Sequence, residues 1–178
     1  MKATEILKKY FGYESFREGQ QELIDNILKH RDVLGIMPTG AGKSICYQVP
    51  AVMLEGITLV ISPLISLMKD QVGTLNQAGI RAAYLNSSLS YAQYRKALSL
   101  ARGYTYKIIY VAPERLMSEE FLSFAKEMKI SMVCVDEAHC VSQWDRIFGR
   151  IIFRFVNFFR KCRSARLFRH LPQQLQRR

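Results

Sequence analysis

Two clusters of residues in this chain could do chemistry on a phosphate. The first is Pro38-Thr39-Gly40-Ala41-Gly42-Lys43-Ser44, which joins an apolar run to a helical stretch. Small residues let backbone N–H groups close around phosphate oxygens, and the helix that follows turns its positive end toward the same anion. A lysine at position 43 reaches the β- and γ-phosphates of a nucleotide, and a serine hydroxyl at position 44 holds Mg2+. Thr39, Gly40 and Gly42 complete the turn. The full Gly-x-x-x-x-Gly-Lys-Ser pattern asks for glycine where this chain has Met37, and the bland alternative is a glycine-rich turn before a helix. The second cluster, Asp136-Glu137-Ala138-His139, follows the apolar run Val133-Cys134-Val135. An Asp at a strand end can hold Mg2+ through water beside Ser44. The neighbouring Glu137 can orient or deprotonate an attacking water. His139 is open to two readings, a sensor of the nucleotide or a satisfied structural histidine. Alone, the second cluster could be an ordinary acidic helix start. Following a phosphate loop, it points to nucleoside triphosphate hydrolysis.

Such residues need a scaffold, and the pattern around them supplies one. Continuous β-branched runs at 32–37, 57–62, 81–85, 107–112 and 132–136 suit strands buried on both faces. Helical stretches fill 3–11, 18–30, 43–54, 63–78, 90–102 and 118–128. Strand and helix alternating at this spacing predict an α/β fold with a mostly parallel, doubly wound sheet. Ligands then bind beyond the carboxyl ends of its strands, where both clusters fall.

Composition narrows the partners. The formal net charge is +11, but residues 145–178 carry +9 of it, leaving +2 for residues 1–144. The tail holds nine Arg and six of the ten Phe, a composition unlike that of the body. No apolar run reaches the roughly 18 residues of a membrane span, and the start reads as an amphipathic helix rather than a secretory signal. Cys46, Cys134, Cys140 and Cys162 form no CxxC pair, so zinc is not expected and reduced thiols are.

Residues from about 4 to 144 resemble the first motor domain of a superfamily 2 helicase of the DEAH-containing RecQ family. The resemblance rests on Phe11-Gly12-Tyr13, Phe16-Arg17-Glu18-Gly19-Gln20, the 37–44 loop with its Met-Pro-Thr-Gly form, and Ser62-Pro63-Leu64-Ile65-Ser66-Leu67-Met68-Lys69-Asp70-Gln71. Tyr110-Val111-Ala112-Pro113-Glu114-Arg115-Leu116 and Asp136 through Trp144 complete it. It implies a RecA-like P-loop NTPase domain, ATP and Mg2+ as cofactors, DNA as partner (a single strand or a fork), a 3′–5′ helicase activity and a bacterial cytoplasmic location. By matching position, Gln20 would pair with the adenine edge while Tyr13 and Arg17 pack on its ring. Lys43, Ser44, Asp136 and Glu137 would take the roles above. Ser62, Pro63, the Asn86-Ser87-Ser88 segment and Arg115 would touch the DNA backbone. For Asn86 and Arg115 a plain loop role weighs equally. Trp144 would stack on a base or cover the domain edge.

The resemblance stops after Trp144. The family continues approximately Gly-x-Asp-Phe-Arg-Pro and later reaches a Thr-Ala-Thr strand, whereas this chain reads Asp145-Arg146-Ile147-Phe148-Gly149-Arg150. Deleting one G from TGG GGA CAG GAT TTT CGG CCG converts Trp-Gly-Gln-Asp-Phe-Arg-Pro into the sequence found from Trp144 to Arg150. Codons for Phe168 through Gln176, read in the other frame, can spell Ser-Ala-Phe-Thr-Ala-Thr-Ala-Thr. The expectation is therefore an ATP-binding domain at 1–144, incomplete at its C-terminus, joined to an out-of-frame tail at 145–178. Loss of the Thr-Ala-Thr strand would leave a gap between the phosphate-loop strand and the acidic-box strand, and a chain that does not unwind DNA alone. The alternatives for the tail are an Arg/Phe arm for single-stranded nucleic acid and a membrane-surface helix at 151–159, the latter disfavoured because its apolar residues nearly surround the helix. For the whole chain the alternatives are a non-catalytic nucleotide- or DNA-binding module and a non-functional fragment.

Overall fold

The structure, a computed structural model, describes residues 1–38, 40–136, 145–162 and 166–169, with the backbone alone for 145–148, 159–162 and 166–169. The chain opens with α1 (Ala3–Ile6), which widens into a π-helical turn at Leu7–Phe11. Gly12, at φ +74°, ends it in the left-handed conformation that glycine adopts without strain. Then follow α2 (Gln20–Leu28), β1 (Val33–Leu34), α3 (Lys43–Met53), β2 (Ile57–Ile61), α4 (Ile65–Gln77), β3 (Ala82–Leu85), α5 (Tyr91–Arg102), β4 (Ile108–Val111), a 3-10 turn (Pro113–Arg115), α6 (Glu119–Glu127), β5 (Ile130–Val135), α7 (Asp145–Cys162) and β6 (Arg166–Arg169). All five strand pairings are parallel, in the order β1-β6-β5-β2-β4-β3.

The strands read as unbroken apolar runs because both faces are covered, and side chains alternate between them. Val60, Ile108, Tyr110, Met132 and Cys134 face the layer built from α3 and α4. Ile57, Leu59, Ile61, Ile109, Val111, Val133 and Val135 face α5, α6 and α7. The expected doubly wound parallel sheet is therefore present. Local signals place its helices: Ser90 and Gln93 form a reciprocal capping box at the start of α5, and the Ser118 hydroxyl accepts the Phe121 N–H at the start of α6.

Several expectations are corrected. The expected strand at 32–37 pairs only over Val33–Leu34, and β5 begins at Ile130 rather than residue 132. The sheet has no gap between β1 and β5, because Arg166–Arg169 occupies it: Val33 pairs with Phe168, and Cys134 pairs with the same residue from the other side. Two strands with open facing edges are a template for an extended segment, since each unmade backbone bond is costly. Nor is α7 apolar all round. Ile152, Phe155 and Val156 are buried, and Phe155 packs on Phe121 with ring centroids 5.7 Å apart. Arg150, Phe153 and Arg154 are exposed. Among the described residues, no helix is long and apolar enough to cross a membrane.

Candidate functional site

The carboxyl ends of the strands carry several of the residues the sequence singled out. Ser62 follows β2, Asn86 follows β3, Ala112 follows β4 and Asp136 follows β5. Backbone bonds lock these ends in register: the Ser62 N–H donates to the Val111 carbonyl, Ala112 to Leu85, and Asp136 to Ile61, at 3.2, 2.9 and 2.9 Å.

The phosphate loop enters α3 through Gly42, at φ +77°, with Gly40 at φ +81°. Among the described residues no side chain caps the start of this 11-residue helix, and the N-terminal end of a helix favours an anion. The loop is braced from outside. The Arg17 guanidinium donates to the Gly40 carbonyl at 2.8 Å. The Gln20 amide donates to the carbonyls of Ala41 and Gly42, both at 3.1 Å, and its Oε1 accepts the Arg17 N–H at 2.9 Å. Gln20 is only 3% exposed. Sequence reasoning assigned Gln20 and Arg17 to a base; here both hold the loop. Tyr13 stands 52% exposed nearby in sequence. Thr39 lies outside the described residues.

Asp136 is 6% exposed. The Tyr47 hydroxyl donates to its Oδ2 at 3.1 Å. Tyr47 is four residues beyond Lys43, so both project from the same face of α3, and this bond sets the carboxylate beside the face that carries the lysine. The Tyr47 oxygen lies 3.1 Å from the Tyr110 hydroxyl, and the Gln48 amide donates both to Tyr110, at 3.2 Å, and to Gln71 Oε1 of α4, at 2.8 Å. Burial, with the Asp136 carboxylate close by, pushes the Tyr47 hydroxyl well above its ordinary pKa, so it stays a donor. Burial likewise raises Tyr110 and Cys134, and takes the Cys46 thiol up to about 11. Sequence reasoning missed Tyr47, Gln48, Tyr110 and Gln71 as site residues. A signal was there: Gln48 sits inside the stretch Ile45–Ala51, every residue of which is buried, and a buried amide demands partners.

The expected nucleic-acid contacts divide. Pro63 and Arg115 are partly exposed at the strand ends. Arg115 stacks over the Tyr94 ring at 4.9 Å and reaches the Asn86 carbonyl at 3.4 Å. Asn86 is corrected: it is fully buried, its Oδ1 accepts from the backbone and hydroxyl of Ser88, and its amide points at the Met68 sulfur. It shapes the turn, and Ser87 and Ser88 are the exposed residues there. Ser62 is corrected too, being 1% exposed with its hydroxyl turned inward. Glu137, His139 and Trp144 lie outside the described residues.

A three-layer α/β domain with a glycine loop entering a helix N-terminus, and a strand-end aspartate tied to that helix, defines a RecA-like P-loop domain. Among solved structures, an ATP-dependent RNA helicase described as hypothetical, from Sulfolobus tokodaii, shares the fold with a TM-score of 0.74 and 19% identity, over 98% of this chain and 52% of that one. The DUF1998 helicase MrfA bound to DNA and AMPPNP does so with a TM-score of 0.73 and 20% identity, over 92% of this chain and 25% of that one. The family model described as DEAD/DEAH box helicase matches residues 17–171, and the chain belongs to that family. It is 51% identical over 146 residues to the ATP-dependent DNA helicase RecQ of Pasteurella multocida, covering 82% of this chain and 23% of that one. With RecQ of Bacillus subtilis the identity is 51% over 148 residues, 83% of this chain and 25% of that one. The chain is thus homologous to RecQ helicase motor domains and spans about a quarter of the length of these curated relatives.

Proposed function

We propose that this chain binds Mg-ATP as the first motor domain of a RecQ-type, 3′–5′ DNA helicase. The observation that carries it is the left-handed Gly40 and Gly42 turn, braced by Arg17 and Gln20, opening the N-terminus of α3 with Asp136 tied to the same helix face. The residues fit the cofactor. A Cβ at Gly42 would come within 2.7 Å of Gln20 Nε2, so the tight turn depends on glycine. Among the described residues no trio of His, Cys, Asp or Glu forms a metal cage. Nucleotide-bound Mg2+ is ordinarily held by one or two carboxylates, waters and the phosphates themselves.

Lys43 would neutralise the β- and γ-phosphates, and Ser44 and Asp136 would hold Mg2+, which supplies charge neutralisation to phosphoryl transfer when bound. Glu137 would orient the attacking water and His139 would sense the nucleotide. Gln20, already at the loop, would read the adenine edge beside Tyr13 and Arg17. Pro63, Arg115, the Ser87-Ser88 turn and Trp144 would present a DNA track beside the nucleotide. An arginine supplied from outside a site such as this is worth roughly 10³–10⁵ in rate, and a second motor domain forms the other half of the track.

The tail at 145–178 is read as out of frame. The +9 charge confined to it supports this; the family match, which runs to residue 171, does not separate the tail from the body. Sequencing the DNA across codon 144 decides the matter: TGG followed in frame by an Asp codon, with no helicase-like reading in the other frame, would overturn it. Binding is tested with a fluorescent ATP analogue and Mg2+. Lys43→Ala should weaken binding at least tenfold, and unchanged affinity would refute the nucleotide reading.

A further inference from the structure

Among the described residues, the polar groups that cross the apolar layer between the sheet and α3/α4 form one chain. It runs from Asp136 to Tyr47, then Tyr110, then Gln48, and ends on Gln71 of α4. Tyr47 and Tyr110 are 0% and 1% exposed and Gln48 is 4% exposed, so water does not substitute for the bonds among them or for the Tyr47–Asp136 bond. The direction of each bond follows from the donor inventory. A carboxylate accepts, so Tyr47 donates to Asp136. Its one proton is then spent, so Tyr110 must donate to Tyr47. Tyr110 in turn accepts from the Gln48 amide, whose second hydrogen goes to Gln71 Oε1. Every hydroxyl is therefore oriented by the group behind it, and the chain has one polarity, pointing at the carboxylate.

We propose that Tyr47 is a positioning residue for the Asp136 carboxylate, and that Tyr110, Gln48 and Gln71 fix its hydroxyl in the donating direction. The inference rests on the reading of Asp136 as a magnesium-holding residue. Oriented bonds in a dry environment polarise one another, and partners one bond behind a metal-holding group commonly change metal affinity 10–100-fold when removed. Each ring also fills core volume beside Cys46, Met68 and Met132. Phenylalanine keeps that volume and removes only the hydroxyl, so the test can separate positioning from packing.

The test is nucleotide affinity of the full chain, with and without Mg2+, by fluorescence with an ATP analogue, and thermal unfolding of each variant. Y47F should lower the Mg2+-dependent gain in affinity about tenfold and leave Mg2+-free affinity within about twofold. Y110F should act in the same direction but less, roughly threefold, because Tyr47 keeps its bond and loses its orientation. The double variant should be no worse than Y47F by more than about twofold, since both act through one bond. An unchanged Mg2+-dependent gain in Y47F overturns the inference, as does a double variant whose losses simply multiply. If Y47F does not fold, Y110F decides alone by the same readout, and an unchanged gain there overturns the inference. A parent chain that binds nucleotide without any Mg2+-dependent gain overturns the Asp136 reading and the inference together. A normal gain in parent and variants alike overturns only the inference.

Discussion

Replacing Gly42 by alanine separates two physical effects that the phosphate loop combines. The first is backbone strain. Gly42 sits at φ +77°, and a left-handed residue with a Cβ costs about 1–2 kcal/mol. The second is a collision: the new Cβ would lie 2.7 Å from Gln20 Nε2. That nitrogen is the end of a flexible side chain, but it is tied to Ala41 and Gly42, while Oε1 of the same amide holds the Arg17 N–H. Displacing the amide forfeits up to three hydrogen bonds of about 0.5–1.5 kcal/mol each, partly recovered by new partners. The expected total is roughly 2–4 kcal/mol, a fall in Tm of about 5–12 °C for a chain of this size. Gly40→Ala supplies the comparison, because Gly40 is also left-handed at φ +81° but its Cβ would meet nothing within 4 Å. It should show the strain alone, about 1–2 kcal/mol. Thermal unfolding of G40A, G42A, Q20A and the G42A/Q20A pair completes a double-mutant cycle. Strain persists in the Q20A background while the collision vanishes, so G42A should cost about 1 kcal/mol less there. Equal costs for G40A and G42A, or a G42A cost that ignores Q20A, would refute the bracing role of Gln20.

Other expectations follow from the same structure. Gly56→Ala, far from the nucleotide, would drive a Cβ into the Lys129 carbonyl at φ +103°; a loss of at least about 3 kcal/mol is expected, and a Tm within 2 °C of the parent, by roughly the same size scaling, would contradict the packing described. Burial that takes the Cys46 thiol to about 11 keeps it protonated, leaving about one part in a thousand as thiolate at pH 8. Peptide mapping after iodoacetamide should therefore find Cys46 and the buried Cys134 unlabelled in the folded chain and labelled in guanidinium. The exposed Arg150 and Arg154 test the tail: if they bind single-stranded DNA, R150E/R154E should flatten the salt slope by about 1.4, whereas the proposed track on the strand ends expects no change.

How legible this molecule was depends on which force placed each part. The phosphate loop, five strands and six helices were legible because each is local: glycine spacing, β-branched runs and capping serines act within a few residues. The strand-end location of the site followed from the parallel order alone. Direction of side chains was not legible. Ser62 and Asn86 are polar residues at strand ends, as DNA-contacting residues would be, yet both face inward, because the register of β2 and β3 against β4 fixes which way each points. Tyr47 and Tyr110, 63 residues apart, looked like ordinary core aromatics until the sheet brought their hydroxyls to 3.1 Å. The tail shows the converse. Its composition reads as foreign to the body, yet Phe155 meets Phe121 and Arg166–Arg169 lies between β1 and β5. A sheet with one missing strand and one uncovered apolar face selects for amphipathic helix and extended backbone, not for a particular sequence. Occupying the slot is therefore weak testimony about the tail's origin. The proposed nucleotide chemistry rests on Gly40, Gly42, Lys43, Ser44 and Asp136, all of which precede it.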